Sequence, residues 1–244
     1  MKELIKKIIK DILFILHLDI TRNQQYDRQT LLLLKSILKP DSNCIDIGCH
    51  KGEIMDLILK FSPQGNHFGF EPIPFLFQNL KTKYQTNPHI KLFDCALSEE
   101  TGNTTFNYVV NAPAYSGIKQ RHYDRKDAKV EIINVKLEKL DDIISPQTKI
   151  HLMKIDTEGA EYLVLKGAKD TIIRNKPFII FECGLGASDY YGTKPEEIFL
   201  FLTLVCGLKI SLLNSWLNNK PALTIDAFLK EYNESTNYYF LAHP

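Results

Sequence analysis

Residues 43–52 read NCIDIGCHKG. A short apolar run, Cys44, Ile45 and Ile47, carries Asp46 to its end and breaks at Gly48, and Gly52 opens a helix-like segment from Glu53 to Phe61. This is the pattern of a strand, a tight turn and a helix. Backbone N–H groups at the start of such a helix lack partners, and glycine lets a ligand come close to the main chain, so a nucleotide-like cofactor fits the turn. Dinucleotide-binding turns require G-x-G-x-x-G. Here His50 stands at the second glycine position, and the spacing is D-x-G-x-x-x-G. An acid two residues ahead of the first glycine suits a ligand that presents an ammonium group.

The chain has 244 residues, enough for one α/β domain that buries roughly 70% of the surface exposed on unfolding. Residues 1–40 read as an N-terminal helical extension and 41–244 as the domain. Lys plus Arg (30) nearly balance Asp plus Glu (29), so no global field favours nucleic acid. The five cysteines are scattered without C-x-x-C pairs, which points to reduced core residues, a cytoplasmic location and no zinc site. Residues 1–20 carry a wide apolar stripe with lysines off it. The charges argue against a membrane span, and no cleavage site marks a signal peptide. The stripe calls for a cover: the domain itself, a second subunit in a homodimer, or a membrane surface. A second helix, about Gln24 to Leu38, is stopped by Pro40.

Beyond the glycine turn, Asn66 to Phe70 forms a second strand ending at Glu71, placed where an acid accepts hydrogen bonds from a ribose diol. The third strand, Ile90 to Phe93, runs into Asp94, Cys95 and Ala96, positions suited to an adenine amino group and ring nitrogen. Thr104 to Val110 and Lys129 to Leu137 read as an inserted hairpin whose connecting loop covers the cofactor mouth. On that loop Tyr115, Ser116, Lys119, Arg121, His122 and Tyr123 are candidates for substrate contact, with His122 also a candidate base.

Strand Ile150 to Ile155 ends in the acids Asp156, Glu158 and Glu161. The helix beginning near Gly159 places Glu161 in its first turn, where negative charge is favoured. Acids crowded at one strand end require a cation, from Lys154, a bound ligand or a divalent metal, and such crowding raises at least one pKa toward the working range of a base. The sequence alone leaves metal assistance unsupported.

KIDTEGAEYLVLKGA, Lys154 to Ala168, resembles the signature of the FkbM-type methyltransferases, whose members read KID-x-EGAE, a leucine-rich helix and a K-G-A ending. DIGCHKG from Asp46, GFEP (Gly69 to Pro72), CALSEETG (Cys95 to Gly102) and PFIIFEC (Pro177 to Cys183) follow the family's order. The first of these also resembles the opening motif of class I S-adenosylmethionine (SAM) methyltransferases. The similarity runs from Asp41 to Cys183; the family usually has asparagine at the position of His50, and more often asparagine than acid at that of Asp94.

The resemblance implies a SAM-dependent O-methyltransferase acting on a sugar hydroxyl of a glycan, glycolipid or glycosylated natural product. Carried over, Asp46 and Gly48 hold the methionine end with His50 on the same turn, Glu71 the ribose, and Asp94 with Ala96 the adenine. Asp156 lines the transfer site. Asp156 or Glu158 is the base, with Glu182 as orienting partner. After Glu182 come a Gly- and Tyr-containing loop suited to a lid, a helix from Pro195 to Cys206, a strand from Leu208 to Leu213, a polar turn with Trp216, a short helix and a final strand, Tyr238 to Ala242. The expected fold is therefore α/β: a doubly wound, mostly parallel, Rossmann-like sheet of seven strands, the last antiparallel, with N-terminal helices and the inserted hairpin. Two rival functions remain. One is a nicotinamide-dependent sugar-modifying enzyme, which lacks its glycine pattern here. The other is a non-catalytic module of a glycan-synthesis complex, against which the retained acids argue.

Overall fold

A computed structural model describes residues 21–122 and 127–244, so the stripe over residues 1–20 and Tyr123 lie outside the described residues. The first described helix, α1 (Arg22–Ile37), starts with a capping box: Thr21 Oγ1 accepts from the Gln24 N–H, and Gln24 Oε1 accepts from the Thr21 N–H. Then β1 (Cys44–Ile47), α2 (Glu53–Phe61), β2 (His67–Phe70), α3 (Pro74–Tyr84) and β3 (Ile90–Phe93) build three parallel strands. The small strands β4 (Cys95–Leu97), β5 (Gly102–Val109) and β6 (Val130–Glu138) interrupt the winding, and α4 (Leu140–Ile143) follows. The chain resumes with β7 (Leu152–Ile155), α5 (Glu161–Gly167), α6 (Lys169–Asn175) and β8 (Phe178–Glu182), and closes with α7 (Pro195–Leu200), β9 (Lys209–Leu212), α8 (Leu213–Leu217), α9 (Ile225–Asn233) and β10 (Tyr239–His243).

The main sheet has seven strands in the order β3-β2-β1-β7-β8-β10-β9, and β10 runs antiparallel to both neighbours. This is the expected doubly wound sheet. Every residue of β1, β2 and β7 is buried, as parallel strands covered by helices on both faces must be. Alternation sorts their side chains into two layers. Ile45, Ile47, Met153, Ile155, Phe181 and Phe240 enter one core. Cys44, Leu152, Ile180 and Leu241 enter the other, where Leu33 and Leu34 of α1 join Met55 and Ile58 of α2.

Three details differ from the sequence reading. The inserted hairpin is a three-stranded sheet, because Cys95–Leu97 pairs in parallel with β6 and closes over Phe106, Val135 and Leu137. The helix expected to reach Cys206 turns into a π-helical segment at Phe201–Val205. Trp216, expected in a turn, lies in α8, with its ring edge-on to Phe178 at 5.5 Å. Among the described residues no helix is long and apolar enough to cross a membrane.

Candidate active site

Strand order reverses between β1 and β7, and the crevice at the carboxyl ends of such a pair is where open α/β sheets take ligands. A cavity of about 1050 Å³ opens there, large enough for a nucleoside cofactor and a second substrate together.

The β1–α2 turn forms its floor. Gly48 has φ +82°, and a Cβ at this position would stand 2.0 Å from the Asp156 carbonyl oxygen, so the turn nests against the end of β7 only without a side chain. His50 follows with φ +51°, and its N–H donates to Glu71 Oε2 at 2.8 Å. The Ile73 N–H donates to the other oxygen, Glu71 Oε1, at 3.0 Å. Glu71 thus ties the tip of β2 to the glycine turn. Burial pushes its carboxyl up to about 7, against those backbone donors. Asp46 is also buried, its Oδ2 has no hydrogen-bond partner, and burial raises it to about 6 although Lys154 pulls the other way. An unpartnered buried carboxylate oxygen facing a cavity awaits a donor.

At the end of β7 four carboxyl groups meet and are sorted by their neighbours. Burial would raise Asp156, but Lys154 and hydrogen bonds to it hold it below the ordinary aspartate range. Lys154 Nζ donates to Asp156 Oδ2 at 2.8 Å and the Tyr239 hydroxyl donates to the same oxygen at 2.6 Å. Glu182, at the end of β8, is driven the opposite way by burial and by the Asp156 charge. Glu158 has left-handed backbone (φ +58°), and burial with the Asp156 charge raises it to about 8 despite its ion pair with Arg121. Glu161 is the first residue of α5, and its Oε1 accepts from the N–H groups of Thr157 (2.8 Å) and Gly159 (3.2 Å) in the turn that precedes the helix. One site therefore holds a fixed anion at Asp156 and a carboxyl at Glu158 that changes protonation near neutrality, the pairing used in acid–base catalysis. Among the described residues no group of three or more His, Cys, Asp or Glu is arranged to hold a metal ion.

The model of the FkbM methyltransferase domain matches residues 46–210, a span that runs from Asp46 through both carboxylate strand ends. The chain belongs to the FkbM methyltransferase family. The chain is also similar to 2-O-methyltransferase NoeI of Sinorhizobium fredii, 25% identical over 173 residues that cover 64% of this chain and 68% of NoeI. Methyltransferase sdnD of Sordaria araneosa is 28% identical over 163 residues, 54% of this chain and 63% of its own. A solved FkbM methyltransferase from Methylobacillus flagellatus superposes with a TM-score of 0.54 at 15% identity, covering 84% of this chain and 44% of that one, and shares the fold. This FkbM chain thus spans less than half of that structure and somewhat under two thirds of sdnD. Family and fold are those of the SAM-dependent methyltransferases.

Most residues singled out in the FkbM sequence gather at this cavity: Asp46, Gly48, His50, Glu71, Ala96, Tyr115, Ser116, Asp156, Glu158 and Glu182 line it. Two do not. Asp94 is exposed and absent from the lining: it precedes β4, whose residues Cys95, Ala96 and Leu97 are all buried and line the cavity. His122 is exposed too; its backbone N–H donates to the Tyr190 hydroxyl at 3.1 Å, and its ring does not line the cavity, so it is not placed to act as a base. Sequence reasoning missed Tyr239 and the wall given by α1, where Asn23, Tyr26, Thr30 and Leu31 line the cavity. Tyr26 packs against Tyr238 and Tyr239 with ring centroids 4.8 and 5.0 Å away.

Proposed function

We propose that the chain transfers a methyl group from SAM to a hydroxyl of a sugar, in a glycan, glycolipid or glycosylated natural product. The observation that carries this reading is the division of labour in one cavity: the unpartnered Oδ2 of Asp46 at the glycine turn and, lining the same space, the titrating carboxyl of Glu158. The residues fit the cofactor. Asp46 offers an acceptor to the ammonium group, Glu71 keeps a free lone pair on each oxygen for the ribose hydroxyls, and Cys95, Ala96 and Leu97 offer a mostly apolar wall for the adenine ring. When bound, SAM supplies a methyl carbon already made electrophilic by its sulfonium.

The protein then has to align an acceptor oxygen and take its proton. Asp156, clamped by Lys154 and Tyr239, stays ionised and stabilises positive charge in the cavity. Glu158, ionised as the pH approaches about 8, accepts the hydroxyl proton. Glu182 holds a proton and hydrogen-bonds Asp156, which keeps the two carboxyls from repelling each other. The 2-O-methyltransferase name of the relative NoeI supports oxygen as the accepting atom.

Calorimetric titration with S-adenosylhomocysteine (SAH) and, separately, NAD tests the cofactor, on the native chain and on Asp46→Asn and Glu71→Gln. SAH binding that weakens at least tenfold in both variants is expected. Binding of NAD instead would return the nicotinamide enzyme to first place, and binding of neither would leave a non-catalytic module. Incubation with labelled SAM and a panel of methyl glycosides then tests the acceptor class.

A further inference from the structure

Arg121 stands on the loop between β5 and β6, yet its side chain is 8% exposed and lines the cavity. Two of its three nitrogens are committed. Nη1 donates to the Gly186 carbonyl at 3.2 Å, and Nη2 donates to Glu158 Oε2. Nε is buried and has no partner. A guanidinium is planar, and its Nε–H and Nη2–H lie side by side on one edge. A carboxylate usually takes both donors of that edge. Here Glu158 takes Nη2 alone, so the neighbouring donor is left for an oxygen that is not part of the protein.

The loop is fixed well enough to hold this donor in place. The Lys119 N–H donates to the Tyr191 hydroxyl at 3.0 Å and the His122 N–H to that of Tyr190 at 3.1 Å, so the residues on both sides of Arg121 are tied to the segment after β8. A donor beside the proton-accepting carboxyl matches one arrangement on a substrate: a hydroxyl that gives its proton to Glu158 and, on the adjacent carbon, an oxygen that accepts from Nε. The cavity also selects charge. Even with Glu158 and Glu182 protonated, the lining acids Asp27, Asp46, Glu53, Glu71 and Asp156 outnumber the cations Lys60, Arg121 and Lys154, an environment that disfavours an anionic acceptor.

We propose that Arg121 is a specificity-determining residue that reads the oxygen vicinal to the methylated hydroxyl, so that the acceptor is an uncharged vicinal diol or hydroxy-ether. This deepens the reading of the chain as a sugar O-methyltransferase and rests on it. Arg121 selects the acceptor and positions Glu158, and it has no part in holding SAM. Losing one charge-assisted hydrogen bond in a buried site changes discrimination by about tenfold or more.

The experiment compares labelled methyl transfer to cis-cyclohexane-1,2-diol and to cyclohexanol, in the native chain, Arg121→Lys and Arg121→Gln, with SAH affinity measured alongside. The expected result is a diol preference in kcat/KM of about tenfold or more that collapses toward unity in both variants, with SAH affinity within about twofold of native. Arg121→Lys keeps a cation beside Glu158 but not the paired edge, so it is expected to lose the preference while retaining the native pH profile. Arg121→Gln moves that profile upward. An unchanged preference in the variants overturns the proposal, as does a fall in SAH affinity, which would assign Nε to the cofactor. Failure of both probes with SAH still bound overturns it too, because the pair of oxygens is then not what the site reads. Failure to bind SAH is a different result, since it removes the underlying methyltransferase reading.

Discussion

The Tyr239 hydroxyl donates to Asp156 Oδ2 at 2.6 Å, joining the last strand of the sheet to the carboxylate at the end of β7. Lys154 Nζ lies 2.8 Å from the same oxygen and 3.4 Å from the tyrosine hydroxyl, so the three groups form one closed contact. Tyr239→Phe removes a donor and lets Asp156 move back up toward its usual range. A loss in kcat of about tenfold to hundredfold is expected, with SAH affinity nearly unchanged. Steady-state kinetics beside calorimetry separate the two. A native kcat would show that the tyrosine has no share in holding the anion.

Glu158 sits at about 8. A base must be ionised before it accepts a proton, so kcat/KM rises with pH, reaches half its limit near pH 8 and levels above it. Glu158→Gln is expected to lower transfer by about a hundredfold or more and to abolish the limb. A profile from pH 6 to 9 that is the same in native enzyme and variant would transfer the role to another group.

Glu71 in the folded chain titrates near 7 against an ordinary 4.5, and Asp46 near 6 against 3.8. The folded state therefore holds protons that the unfolded chain has already released. This stabilisation is complete below the unfolded values and lost as pH rises through about 6 to 7, on the order of 3 kcal/mol for Glu71. Urea titrations at several pH values on native protein and Glu71→Gln measure it. The variant is expected to show a flatter decline between about pH 4.5 and 7; identical slopes would count against a buried, protonated Glu71.

Gly48→Ala places a Cβ 2.0 Å from the Asp156 carbonyl oxygen in a backbone at φ +82°. The turn or the end of β7 has to shift, at a cost of roughly 2–4 kcal/mol. A drop in Tm of several degrees with loss of SAH binding is expected. Thermal melts with and without SAH decide it, and a variant that melts and binds as the native chain does would mean that the turn is looser than described.

Tyr26→Ala removes a 5% exposed ring that touches Tyr238 and Tyr239 and whose hydroxyl accepts from the Tyr238 N–H at 3.2 Å. The cavity left behind is expected to cost about 3 kcal/mol. Transfer should fall more than stability explains, because Tyr239 loses the ring that packs on it. Kinetics well below the melting temperature test this, and an unaltered kcat there would confine Tyr26 to a structural role.

What could be read in the sequence was what is local. The β1 turn declares itself within ten residues, and the acids at the ends of β2, β7 and β8 each follow an apolar strand directly. Topology then brings them together, since parallel strands point the same ends the same way. Asp94 reads as part of the run into β4, but the strand begins only at Cys95, and Asp94, one residue before it, stays exposed. His122 looked chemical by residue type, but the ties of its loop to Tyr190 and Tyr191 turn Arg121 inward instead. Tyr239 and the wall from α1 left no local signal. Tyr239 meets Asp156 across 83 positions, and nothing in YYFLA tells which of its two tyrosines donates to that carboxylate.

The contact between Tyr26 and Tyr238 spans 212 positions in the chain. Helix α1 completes its wall of the cavity only against β10, and that strand enters the sheet between β8 and β9. Pairings of such long range form late, because the intervening chain must be ordered first. This wall of the cavity is therefore a product of the finished sheet, so anything that displaces β10 from its place also opens the site at Tyr26.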